Sequence, residues 1–155
     1  MIEIRKSTHD DIPFLVESNY CMAKETEEKE LNRLVLEQGV RAVLDDPAKG
    51  QYWLACKTGA PIGQLMITLE WSDWRNGWFW WVQSVYVLPA CRREGVFRSL
   101  WQSLITRALA HQEQNGEKVV GIRLYVEKEN YRAAKVYQSV GMVDASYYVY
   151  EWLNQ

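Results

Sequence analysis

QSVYVLPACRREGVFRSL, residues 83–100, joins an apolar run to an amphipathic one through a turn that carries two arginines and a glycine. The run Trp78–Leu88 reads as a strand that Pro89 ends, and from Phe97 onward apolar residues recur at helical spacing. The segment therefore predicts a strand running straight into a helix. The first N–H groups of such a helix have no intrahelical partners, and together with the helix dipole they form an anion site. Arg92 and Arg93 add guanidinium forks suited to phosphate oxygens, and Gly95 lets a ligand come close to the backbone. The occupant this predicts is a phosphate or pyrophosphate. The turn is neither a GxxxxGK followed by Ser or Thr nor a GxGxxG fingerprint.

Composition narrows the setting. The 155 residues fit one domain spanning 1–155, and 48% hydrophobic residues describe an ordinary globular chain. With 18 Lys plus Arg against 20 Asp plus Glu, a net charge of −2 gives no electrostatic reason to expect binding to nucleic acid or anionic membrane. Cys21, Cys56 and Cys91 have no CxxC spacing and read as reduced thiols, and the start MIEIRKSTHDD has no apolar signal core, so a cytoplasmic protein is expected. The histidines, His9 and His111, sit in no ligand-spaced cluster, so no metal is expected, and His111 is placed on a solvated helix face.

Working outward from the turn, Ile2–Arg5 reads as a strand, followed by the capping pattern Thr8-x-x-Asp11 and a helix with Pro13 in its first turn. The charged stretch Glu25–Glu30 faces solvent. Leu31 through Leu44 is helically spaced, with Gly39 expected to break or kink it and Pro47 and Gly50 to end it. Tyr52–Cys56, Gly63–Trp71 and Trp78–Leu88 form an antiparallel meander, with turns at Lys57–Pro61 and Trp71–Gly77. Phe97, Leu100, Trp101, Leu104, Ile105, Ala108 and Leu109 make an apolar stripe that ends at Asn115-Gly116. A strand at Gly121–Val126, a helix capped by Asn130 and ending before Gly141, and a closing strand at Tyr147–Leu153 complete the chain. The order β-α-α-β-β-β-α-β-α-β gives an α+β class with helices on both sides of one mixed sheet.

Gln83–Leu100 resembles motif A of the GNAT superfamily of acetyl-CoA-dependent N-acetyltransferases, Gln/Arg-x-x-Gly-x-Gly/Ala after a strand; here it reads Arg92-x-x-Gly95-x-Phe97. Phe97 departs from the usual small residue and is expected to turn into the core. NYRAAKVYQSVGM, residues 130–142, is similar to the family's Asn-x-x-Ala-x-x-x-Tyr-x-x-x-Gly-Phe/Met segment. The resemblance implies acetyl-CoA as co-substrate. Val85, Tyr86 and Val87 would offer backbone groups to its pantetheine arm, Arg92, Arg93, Glu94, Gly95, Val96, Phe97 and Arg98 would wrap the pyrophosphate, and Asn130 would touch the arm near the thiol. The two central strands splay apart in the family, and the thioester enters the gap. The tail after Gly141 is short for the two closing strands common there, so a strand merged with or contributed by a partner, and hence a homodimer, is a further expectation.

Acetyl transfer needs an amine stripped of its proton, and an alkyl amine has a pKa near about 10.4. Glu70 is the first candidate base and Glu127 the second; Gln83 stands where many relatives carry a carboxylate, but an amide is no base. Trp71, Trp74, Trp78, Trp80 and Trp81 crowd one hairpin. Packing accounts for at least three of them, while Trp71 and Trp74, with Tyr20 and Glu25 from the roofing helices, are candidates to line the acceptor site. Tyr137 lies seven residues after Asn130, about two helical turns, and is the candidate acid for the leaving thiolate. Cys91 has no paired histidine nearby and is not expected to carry the acyl group. The activity this predicts is transfer of acetyl from acetyl-CoA to a primary amine of a small molecule or peptide by direct attack in a ternary complex. The alternative is a non-catalytic acyl-CoA-binding sensor.

Overall fold

A computed structural model describes residues 1–154. It divides into a larger unit, Met1–Tyr125, and a smaller one that begins at Val126.

The larger unit is built on a sheet of five strands in the order β1-β2-β3-β4-β5: β1 Ile2–Lys6, β2 Gln51–Lys57, β3 Ala60–Ser72, β4 Gly77–Val87 and β5 Val119–Leu124. Strands β2 to β4 pair antiparallel, as the meander predicted; β1 adds to β2, also antiparallel, and β5 joins β4 in parallel after a helical crossover. Helices α1 (Ile12–Glu27) and α2 (Arg33–Asp45) cover one face, and α3 (Val96–Asn115) covers the other. Covering both faces explains why YWLAC reads as an unbroken apolar run. Tyr52, Leu54 and Cys56 meet Ile12, Leu15 and Val40 on one side, while Trp53 and Ala55 share the other core with Val96, Leu100 and Leu104.

The capping pattern holds. The Asp11 carboxylate accepts from Thr8 N–H at 2.7 Å and forms a bidentate pair with Arg5 at 2.7 and 2.8 Å. The end of α3 is also as expected, with Gly116 left-handed at φ 77°.

Gly39 does not break α2, which runs through it from Arg33 to Asp45. Burial of the next residue, Val40, outweighs the roughly 1 kcal/mol propensity deficit of one glycine. The buried line of α3 is Val96, Leu100 and Leu104; the last two lie on the expected stripe, and Val96 takes the buried place expected of Phe97. Phe97 is therefore half-buried and stacked on Trp101 at 6.3 Å rather than sunk in the core, and Leu109 is exposed. His111 is not simply solvated, because its ring meets Trp80 edge-on at 5.5 Å.

In the smaller unit, α4 is Tyr131–Ser139. The expected strand at Tyr147–Leu153 is not formed. Its aromatic and β-branched composition suits a pleated surface, but a strand exists only through a ladder partner, and none of the described strands pairs with it.

Candidate functional site

Strand β4 is longer than its parallel neighbour. Trp78–Val82 pair with β5, whereas Gln83–Val87 have a ladder partner only on the β3 side among the described residues. Five residues of backbone edge are thus open to a ligand that can pair as a strand does, and the amides of an extended chain fit that edge. The β3–β4 register also slips there. Gln64 faces Tyr86 and Met66 faces Gln83, so Ser84 and Val85 together oppose Leu65. Ser84 takes a left-handed φ of 54°, the bulge conformation that re-aims backbone groups beside a site.

Beyond β4 the chain makes a short 3-10 turn, Pro89–Cys91, and then the arginine turn. Arg93 and Gly95 are left-handed at φ 67° and 79°, which brings the chain round into α3. A Cβ on Gly95 would meet nothing within 4 Å, so glycine is needed for its backbone conformation, with open space in front of it. The 20-residue α3 begins at Val96, and the first N–H groups of a helix have no intrahelical partner. A helix start of this kind can receive an anion.

Arg92 is not a free fork. Its Nε donates to Val87 O at 3.0 Å, its Nη2 donates to the Glu25 carboxylate at 2.7 Å, and its guanidinium lies 5.4 Å from the Tyr86 ring centre. The Tyr86 hydroxyl donates to the other Glu25 oxygen at 2.8 Å. Burial and this carboxylate push the Tyr86 hydroxyl pKa well above the usual range. Glu25, a candidate for the acceptor side, ties the end of α1 to the arginine turn. Glu94 pairs with Lys57 at 2.9 Å, and Arg98 is exposed.

The face of β3–β5 that shares its side with α1 carries a second group. Glu70 accepts from Trp81 Nε1 at 3.1 Å and lies 3.5 Å from Arg123. Trp81 stacks on Tyr125 with centroids 4.5 Å apart, and the Arg123 guanidinium lies 3.6 Å from the Phe79 ring. Glu70 faces Phe79, five positions before Ser84, or about 16 Å along the strand at roughly 3.3 Å per residue. Gln83 donates to Thr68 Oγ1 at 2.7 Å between the two groups. Of the tryptophans, Trp80 is buried, Trp71 and Trp78 meet edge-on at 4.8 Å, and Trp74 stands 88% exposed at the hairpin tip. The Tyr20 hydroxyl donates to Glu30 at 2.9 Å and its ring lies under Arg33, so it belongs to the α1–α2 junction.

Sequence reasoning passed over a buried polar group beneath the bulge. Gln64 is 0% exposed and donates both to Asn19 Oδ1 at 3.1 Å and to Ser84 O at 3.0 Å. Asn19 in turn donates to the Tyr52 hydroxyl at 3.0 Å. Gln64 Oε1 has no partner among the described residues, an arrangement that costs about 1–3 kcal/mol and that packing alone does not explain. A polar residue inside β3 was the available signal, but with both faces of the strand covered, alternation does not reveal which way it points.

In the smaller unit Asn130 caps α4, its side chain accepting from Ala133 N–H at 3.1 Å, as expected. Burial pushes the Tyr137 hydroxyl pKa up. The Glu127 carboxylate is engaged locally, accepting from Glu129 N–H at 2.8 Å.

Comparison with known proteins agrees with this fold. The model of the acetyltransferase (GNAT) family matches residues 12–142. The chain is similar, at 43% identity and TM-score 0.89, to the crystal structure of a possible acetyltransferase from Clostridium difficile 630, with 100% of this chain and 99% of that one covered. A predicted acetyltransferase with acetyl-CoA from Clostridium acetobutylicum shares the fold at 22% identity and TM-score 0.73, covering 100% and 96%. So does a ribosomal-protein-alanine N-acetyltransferase from Brucella melitensis biovar Abortus 2308, at 17% identity and TM-score 0.75, covering 98% and 99%. No curated protein matches by sequence. No helix among the described residues is long and apolar enough to cross a membrane.

Proposed function

The chain belongs to the acetyltransferase (GNAT) family, and from that premise we propose that it transfers acetyl from acetyl-CoA to a primary amine by direct attack in a ternary complex. The observation that carries the reading is the open edge of β4 at Gln83–Val87 leading into the left-handed turn and the start of α3. An extended arm with two amides followed by a pyrophosphate matches that sequence of features.

In this reading Val85, Tyr86 and Val87 pair with the pantetheine arm. Residues 92–98 hold the pyrophosphate through backbone N–H groups and the arginines, and Asn130 meets the arm near its thiol. The amine nitrogen bonds to the thioester carbon, the carbon–sulfur bond breaks, and the acetyl group leaves with the amine. Glu70 takes the ammonium proton through bridging water, because its register sets it well along the strand from the bulge. Its carboxylate and the Trp81–Tyr125 stack also suit a cationic acceptor, with Trp71 and Trp74 at the rim. Tyr137, kept protonated by burial, gives a proton to the thiolate and is restored by the second proton that the nitrogen sheds as the amide forms. The chemistry is that of a cytoplasmic enzyme acting on a small molecule or peptide, and neither metal nor nucleic acid enters it.

The test is a screen of amines with acetyl-CoA, following free thiol with DTNB, alongside calorimetry with CoA. Thiol release that depends on one amine class supports the reading. Tight CoA binding with no release across the panel favours the acyl-CoA sensor instead, and no CoA binding refutes both.

A further inference from the structure

The orphaned buried amide and the left-handed serine form one device. Ser84 and Val85 share a peptide that has left the β3–β4 register, and the Ser84 carbonyl accepts from Gln64 Nε2 at 3.0 Å. A trans peptide points its C=O and the following N–H in opposite directions, so this hydrogen bond turns the Val85 N–H away from Gln64. Gln64 is on the β3 side of β4, and the edge opposite β3 is the one without a ladder partner at this level. The fully buried Gln64 is itself aimed by Asn19, which the Tyr52 hydroxyl fixes in turn; that hydroxyl has the side chains of Asn19 and Ser84 as its hydrogen-bonding neighbours.

We infer that Gln64, steadied by Asn19 and Tyr52, is a positioning residue that locks the Ser84–Val85 peptide with its N–H facing the thioester carbonyl of bound acetyl-CoA. The inference rests on the acetyl-CoA reading. Ser84 at φ 54° does not hold this conformation by its own preference, so the lock has to come from outside the strand. Three other elements provide it: α1 through Asn19, β2 through Tyr52 and β3 through Gln64. A fixed N–H donor at the carbonyl of the reacting group stabilises the charge that develops there, and it does so only while its direction is held.

Gln64→Met keeps the length of the side chain and removes its hydrogen bonds. The readout is the infrared carbonyl stretch of bound acetyl-CoA labelled with carbon-13 at the thioester, together with calorimetry using CoA that lacks the acetyl group. In the unaltered protein the stretch is expected below its value in water. In Gln64→Met most of that displacement is lost, thioester consumption falls by roughly 10-fold to 100-fold, and CoA affinity stays within about twofold. Tyr52→Phe, which removes only the hydroxyl that orients Asn19, gives a smaller change in the same direction and serves if Gln64→Met does not fold. An unchanged stretch and rate in the folded variants overturns the inference while leaving the acetyl-CoA reading intact. Failure of the unaltered protein to bind acetyl-CoA overturns both.

Discussion

The Arg92 guanidinium and the Glu25 carboxylate, 67 positions apart in the chain, meet at 2.7 Å. The arginine proposed to meet the cofactor's pyrophosphate therefore already holds a carboxylate, and both side chains are partly exposed, at 30% and 41%. An exposed pair of this kind contributes about 0–1 kcal/mol to stability, but its negative partner opposes any incoming anion. Glu25→Gln is expected to tighten acetyl-CoA several-fold at low salt, an advantage that shrinks as salt is raised. Arg92→Ala is expected to weaken it by about 1.5–3 kcal/mol. Calorimetry at two ionic strengths checks both, and a Glu25→Gln variant that binds more weakly would mean the carboxylate orients the arginine instead of competing for it.

Gly95 separates conformation from charge. Because its Cβ position is empty, Gly95→Ala should lose only the cost of a left-handed alanine, about 1–2 kcal/mol, with acetyl-CoA affinity retained. Gly95→Asp adds an anion where the pyrophosphate approaches and should lose affinity as well. Urea melts and calorimetry on the pair distinguish the two effects, and equal affinity in both variants would place the pyrophosphate elsewhere.

The elements that periodicity revealed are those whose burial is local. The meander and α3 follow from runs such as YWLAC and from the spacing of Leu100 and Leu104. Gly39 misled because propensity is a weak prior once the next residue is in the core. YYVYEWL misled because strand composition does not supply a ladder partner. At the site, the passage from strand through the arginine turn into a helix was legible because Pro89 ends the strand and apolar residues recur at helical spacing beyond Gly95. The Glu25–Arg92 and Gln64–Asn19–Ser84 contacts were not, since they join residues 20 to 67 positions apart, α1 to β3 and to the arginine turn and β3 to β4, and leave no periodic trace.

Asp11 gives the fold an acid-sensitive joint. The hydrogen bond from Arg5 holds its carboxyl below the usual carboxylate range, and its side chain is only 8% exposed. A folded-state pKa depressed below the unfolded value of about 3.9 gives stability that is present above that pH and is lost as pH falls through the folded value. Asp11→Asn should therefore be less stable by about 1.5–3 kcal/mol at neutral pH. The gap from the unaltered protein should narrow below about pH 4. Denaturation midpoints across that range check the sign, and a gap that stays constant would exclude the ion pair as its source.

Trp74 offers a clean binding test because it stands 88% exposed at the tip of the hairpin. Removing an exposed ring changes stability by no more than about 0.5 kcal/mol, so Trp74→Ala should melt like the unaltered protein. If the ring meets the acceptor, KM for the amine rises while kcat and acetyl-CoA affinity hold, because the contact is shared by ground and transition states. An unchanged KM with the best amine from the screen would remove Trp74 from the acceptor site.

Tyr137 carries the proton side of the proposal. When the carbon–sulfur bond breaks, the departing thiolate, with a thiol pKa near about 8.5, needs a proton, and a phenol with a pKa near or above about 10 remains protonated to supply it at neutral pH. Burial raises the Tyr137 hydroxyl in that direction, which keeps the acid form available and moves any loss of activity from its ionisation to higher pH. Tyr137→Phe preserves the ring and isolates the hydroxyl. Expected are near-native melting and acetyl-CoA affinity with kcat lowered by roughly 10² to 10⁴, the range of general acid catalysis. A tyrosine that only packs against its surroundings predicts instead an unchanged kcat in the same variant. Rates measured with an acceptor for which chemistry is slow choose between the two, because only then does proton delivery to sulfur limit turnover.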